Sequence, residues 1–126
     1  MEANKTQEFE YTVEPNLLAN AMGSGDMPVL ATPAMVAMME NASMRLVASE
    51  LQDGETTVGS MISTSHLKPS AEGAKIVVSA TLTEVDGRKL TFKVVAKDGE
   101  TVIGEADHIR YIVGRERFLS KVYPGK

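Results

Sequence analysis

The chain has 126 residues, a net charge of −4, 43% hydrophobic residues with eight methionines, and neither cysteine nor tryptophan. That length suits one domain with a genuine core, and without cysteine there is no disulfide framework and no cysteine-ligated metal. The acidic balance argues against a general nucleic-acid binder.

The N-terminal stretch "MEANKTQEFEY" carries acids early and has no apolar segment of a secretory signal. No stretch approaches the ~20 apolar residues that span a bilayer, so no membrane partner is expected. Together with the missing cysteines this points to a cytoplasmic protein. With no repeat and no linker, one domain over 1–126 is expected.

"EFEYTVEP" (8–15) alternates in polarity and stops at Pro15, which predicts a strand. "NLLANAMGSGDMPVLA" has room for a helical turn and then a glycine-containing segment, Gly23 to Pro28, placed to cover or line a site. A helix is predicted from Thr32, read as its N-cap with Pro33 in the first position, to about Glu50 or Leu51. Along it Met35, Met38, Met39, Ala42 and Leu46 form one apolar stripe, and Val36, Glu40, Ser43 and Val47 a second. So little strong polarity surrounds Glu40 that the helix is expected to be covered on most sides, with Glu40 in an apolar setting. Four strands follow, over 56–70, 74–87, 89–100 and 101–114, with tight-hairpin signals at Asp86-Gly87 and Asp98-Gly99. "RERFLSKV" closes the chain as a short helix. The order is strand, long helix, then a four-stranded meander: an α+β arrangement with a curved antiparallel sheet around one helix.

The chain has two histidines. Alternation places His66 with Val58, Ser60, Ile62 and Thr64, and His108 with Val102, Gly104, Ala106 and Arg110. Neither belongs to a His-x-x-x-His or Glu-x-x-His pattern, so no metal site is expected. No P-loop, Gly-x-Gly-x-x-Gly fingerprint or Gly-x-Ser-x-Gly elbow is present. Taken singly, the remaining candidates stay open. Glu40 reads as an acid that reaches solvent or pairs with Arg45, or as a buried acid that needs a partner. Thr32 reads as a cap, His66 as structural, Gly59 as a bulge residue, and Lys68 and Arg110 as surface charges or phosphate ligands.

Taken together, "VLATPAMVAMMENAS", "VGSMISTSHLKPS", "IGEADHIRYIV" and "RERFLSKV" resemble the hot-dog fold acyl-CoA thioesterases of the fluoroacetyl-CoA thioesterase-like group. The resemblance implies a hot-dog fold. It also implies a Thr–Glu–His catalytic set at Thr32, Glu40 and His66, a strand glycine near the thioester at Gly59, and an arginine on the last strand at Arg110. It further implies a homodimer or higher homo-oligomer, with sites near the interface. The segment before the helix, "NAMGSGDMP", lacks the phenylalanines of the fluoroacetate-specific member, so a broader acyl-CoA thioesterase is expected. Coenzyme A is then part of the substrate and no cofactor is needed; Arg110 first, then Lys68, are the cations expected to meet its phosphates.

Glu40 would attack the thioester carbonyl or act as general base on water, with His66 orienting it and protonating the departing sulfur. Eight helical residues rise ~12 Å, so Thr32 and Glu40 do not touch within one straight helix. The substrate lies between them, or a second subunit supplies one of the groups. The competing expectations are a hot-dog acyl-thioester dehydratase or hydratase and a non-catalytic acyl-CoA binding module.

Overall fold

The computed structural model describes residues 1–125. Strand β1 (Lys5–Thr12) leads through a 3₁₀ turn (Pro15–Leu17) and the short helix α1 (Ala19–Met22) into α2 (Thr32–Val47), which tightens into a 3₁₀ turn at Ala48–Glu50. Strands β2 (Glu55–His66), β3 (Lys75–Asp86), β4 (Lys89–Asp98) and β5 (Thr101–Gly114) follow, then α3 (Arg115–Val122). The five strands form one antiparallel sheet in the order β1-β3-β4-β5-β2, with α2 packed on its inner face. This is the α+β hot-dog arrangement that the resemblance implies. Among the described residues no helix is long and apolar enough to cross a membrane.

The methionine stripe of α2 is what the sheet encloses. Met35, Met38, Met39, Ala42 and Leu46 are all buried, against Val78, Ala80, Leu82, Leu90, Phe92 and Val94 of β3 and β4. The two hairpins turn on Gly87-Arg88 and Gly99-Glu100, whose glycines take φ 61° and 63°; a positive φ there matches the twist of the flanking strands. Strand β2 stops at His66, short of the expected Ser70. The N–H groups of Leu67 and Lys68 both turn to the Ile103 carbonyl (2.6 and 3.4 Å), and Pro69 has no N–H to continue the ladder.

Three local expectations are corrected. Thr32 is not the N-cap: Ala31 holds that place with extended backbone (φ −70°, ψ 141°), and Thr32 and Pro33 open the helix proper. The Thr32 hydroxyl is drawn instead into a tertiary hydrogen bond with His66. Nor is α2 covered on most sides. A strip of Pro33, Ala37, Met44 and Ala48 faces outward, with Glu40 half-exposed within it, because the sheet wraps only the opposite side.

The third correction concerns β2. Its register against β5 shifts between Gly59 and Met61, leaving Ser60 as the extra residue. A bulge exchanges the two faces of a strand. Val58 and Ser60 therefore leave the face of His66, and Thr57 and Gly59 join Ile62, Thr64 and His66 on the side toward α2.

Gly104 of β5 pairs with His66 and lies under α2. A Cβ there would fall 2.6 Å from Met35 Sδ and 2.9 Å from the Ser65 carbonyl oxygen. The methionine can shift but the backbone oxygen cannot. Gly104→Ala is thus expected to lose ~1–3 kcal/mol, the usual range for overpacking. The measurement is the urea midpoint, and an unchanged midpoint contradicts this packing.

Candidate active site

The polar groups gather at two stations. At the first, β2 ends and α2 begins. His66 is the last residue of the strand and Thr32 the first of the helix, and Thr32 Oγ1 lies 2.8 Å from His66 Nδ1. The other ring nitrogen, Nε2, is buried without a hydrogen-bond partner. Beside them opens a cleft of ≈ 270 Å³, with Ala19, Val29 and Leu30 as its apolar wall and Thr32, His66 and Lys68 among its polar lining. Ser24, from the glycine-containing segment expected to cover or line a site, is part of this lining. Burial lowers the His66 pKa below the ordinary 6.5, with the acceptor pull of the nearby Lys68 backbone opposing, so the imidazole is mainly neutral at pH 7.

The second station lies further along α2. Glu40 Oε2 is 3.9 Å from Arg110 Nη1; the glutamate side chain is 43% exposed and the arginine 8%. The apolar setting expected for Glu40 is therefore not present in the single chain. Its cation is Arg110 and not Arg45, whose guanidinium instead stacks 4.2 Å from the centre of the Phe9 ring. Arg110 is held on three further sides: Nε donates to Thr57 Oγ1 (2.9 Å), Nη2 to the Thr57 carbonyl (3.0 Å), and Nη1 to His108 Nε2 (3.3 Å). Burial lowers the Arg110 pKa, with Glu40 opposing, and a guanidinium remains a cation regardless.

Gly59 makes this approach possible. A Cβ at that position would lie 2.9 Å from Glu40 Oε2 and 3.3 Å from both Arg110 Nη1 and His108 Cε1. A strand glycine marks the place where another group comes close, and here that group is the carboxylate.

Thr32 and His66 thus meet, as do Glu40, Gly59 and Arg110. Lys68 belongs to the first station. Among the described residues no hydrogen bond or ion pair joins the two stations within one chain. Two contributors were not singled out from sequence. His108 shares the inner face of β5 with Arg110, so strand alternation was enough to find it. Thr57 was hidden, because the bulge reverses its parity.

Both histidines carry a stability consequence. Burial also holds His108 below 6.5, with Arg110 lowering it further, and with the Met61 carbonyl and Glu40 opposing. The unfolded chain takes up these protons near 6.5, and the folded chain only at lower pH. Between those values the unfolded state binds more protons, so stability rises with pH through that window and falls as pH drops below about 6.5. The urea midpoint is expected to be lower at pH 5.5 than at pH 7.5. A flat or inverted trend contradicts neutral buried imidazoles.

A curled antiparallel sheet around one helix, with polar groups offered by the helix and an edge strand, defines a hot-dog protein of the thioesterase type. A solved structure of the fluoroacetyl-CoA thioesterase FlK superposes with a TM-score of 0.92 at 30% identity, covering 100% of this chain and 98% of that one. A Thermus thermophilus hypothetical protein, a thioesterase superfamily member, shares the fold at TM-score 0.88 and 24% identity, over 97% of this chain and 90% of its own. In sequence, the fluoroacetyl-CoA thioesterase of Streptantibioticus cattleyicolor is 38% identical over 94 residues, 75% of this chain and 68% of that protein. The pattern of the fluoroacetyl-CoA-specific thioesterase family matches residues 13–116, and the chain belongs to that family.

Proposed function

We propose that the protein hydrolyses the thioester of a small acyl-CoA to free acid and coenzyme A, using Thr32, Glu40 and His66. Its family makes it a thioester hydrolase. The observation that carries the residue assignment is the 2.8 Å Thr32–His66 hydrogen bond beside a cleft with an apolar wall.

In this reading the acyl group rests against Ala19, Val29 and Leu30, and the limited cleft favours short acyl chains. No phenylalanine stands between Phe9 and α2, so the accepted range is broader than the fluorinated acyl group named for the relatives. The N–H groups of Thr32 and Ala34 precede the first intrahelical bond, from Met35 N–H to the Ala31 carbonyl. They are positioned to receive the oxyanion. Gly59 lets the thioester and the Glu40 carboxylate approach closely. Glu40 attacks the carbonyl or deprotonates water. His66, fixed by Thr32 and neutral at rest, orients the reacting carboxylate, takes up a proton from solvent and, as the imidazolium, gives it to the departing sulfur and returns to the neutral ring. Thiols ionise near ~8.5, so the leaving group needs only modest help.

Arg110 is enclosed and faces Glu40, which favours a role toward that carboxylate over contact with coenzyme A phosphates. Lys68, exposed at the cleft, is the cation suited to a phosphate. The separation of the stations within one chain supports a homodimer in which Glu40 of one copy serves Thr32 and His66 of the other. Strand β2 lies at the sheet edge with Met61 exposed, and Glu40 sits in the uncovered strip of α2. An open edge of this kind invites pairing.

The test is thiol release across short, branched, aromatic and long saturated acyl-CoAs. Release from saturated short chains supports hydrolysis and excludes a pure hydratase. A rise in melting temperature with coenzyme A esters but no thiol from any of them identifies a binding module instead.

A further inference from the structure

His108 is 1% exposed and takes no part in the chemistry above, yet both its ring nitrogens are engaged. Nδ1 lies 2.8 Å from the Met61 carbonyl, the first residue after the β2 bulge, and Nε2 lies 3.3 Å from Arg110 Nη1. The partners decide the proton. A carbonyl only accepts, so Nδ1 carries the hydrogen; a guanidinium only donates, so Nε2 presents its lone pair. The ring is tilted against Phe92, with centroids 5.9 Å apart, and its Cε1 borders the space that Gly59 leaves empty.

We propose that His108, as a neutral imidazole protonated on Nδ1, is a positioning residue that aims the Arg110 guanidinium at Glu40 and ties that pair to the β2 bulge. The lone pair on Nε2 and the Thr57 side chain and carbonyl together fix the plane of the guanidinium. Without the imidazole, Nη1 loses its neutral acceptor, and the direction of the positive charge toward the carboxylate is no longer set. The kinetic consequence rests on Glu40 being the reacting carboxylate; the tautomer does not.

Two measurements on the full-length protein test this. Nitrogen-15 NMR of the imidazoles, with His108 assigned by its loss in His108→Gln, is expected to show a protonated Nδ1 and an unprotonated Nε2. The reverse tautomer, or a charged ring at pH 7, overturns the proposal. In steady-state kinetics His108→Met removes donor and acceptor together. It is expected to lower kcat ~10-fold with KM little changed, the scale of one or two lost hydrogen bonds. His108→Gln, which keeps one acceptor and one donor, restores most of that loss. In an Arg110→Gln background the methionine substitution has little further effect, because contacting residues that act together are not additive. An equal loss in both backgrounds overturns the proposal. If His108→Met does not fold, the glutamine variant and the tautomer decide. If Glu40→Gln leaves thiol release intact, the catalytic reading fails while the NMR result still judges the positioning of Arg110.

Discussion

Glu40→Gln is expected to lower thiol release from short acyl-CoAs at least ~10²-fold, the range that one positioned acid or base supplies. The substitution keeps shape and removes only charge and basicity, so its effect separates chemistry from packing. The fold tolerates it for two reasons. Glu40 is 43% exposed, so a neutral amide there is solvated, and the ion pair it gives up is long at 3.9 Å. Arg110 keeps Thr57 and His108 as hydrogen-bond partners and is not stranded. The melting temperature should therefore stay close to that of the parent while turnover collapses. Thiol release at the parental rate would sink the assignment of Glu40. Single turnover in oxygen-18 water then distinguishes the two routes. Label in Glu40 itself marks an anhydride opened at its glutamyl carbonyl, and an acyl group trapped on Glu40 marks attack directly. Label confined to the released acid, with no acyl-enzyme trapped, favours general-base catalysis.

The parts of this structure that were legible in the sequence are those governed by short-range periodicity. The Met35-Met38-Met39-Ala42-Leu46 stripe reports burial directly, because a helix repeats every 3.6 residues and one face must leave water. The hairpins at Gly87 and Gly99 are local as well, since a two-residue loop needs a positive φ and glycine supplies it. What was not legible depends on partners far along the chain. Thr32 has the composition of a cap, but a hydroxyl serves whichever donor or acceptor arrives, and His66 arrives from 34 residues away. Arg45 is close to Glu40 in sequence, yet five residues turn a helix by ~500°, which sends it to another side, where Phe9 holds it. The face of β2 reverses at a bulge that alternation alone does not reveal. Each of these concerns the site, where residues are held by tertiary contacts and not by the propensity of their own segment. The residue types of the site are therefore carried by short motifs, while their grouping into two stations is set by the tertiary fold.

Those two stations lead to the sharpest test of the dimeric reading. If one site combines Glu40 of one copy with Thr32 and His66 of the other, two inactive variants should rescue each other. Glu40→Gln and His66→Ala homodimers each carry one lesion in every site. After unfolding and refolding together, a heterodimer would place both lesions in one site and none in the second. Random pairing makes half the dimers mixed, each with one intact site of two, so the mixture should recover ~25% of parental activity by the symmetry of a two-fold assembly. If Glu40 and His66 serve the same site from the same chain, every site in every dimer keeps one lesion and nothing is recovered. Gly59 sharpens the expectation, because its missing side chain is what lets the carboxylate rest against β2, the strand at the open edge. A second copy joined along that edge brings its own His66 toward the same region from the opposite direction, since paired edge strands related by a two-fold axis run antiparallel. The ~12 Å that separates Thr32 from Glu40 along one helix is then spanned by geometry between chains and not by distortion within one. Recovery that depends on co-refolding, and is absent when the folded variants are merely mixed for seconds, would show that subunit exchange and not a trace of parental enzyme restores the site.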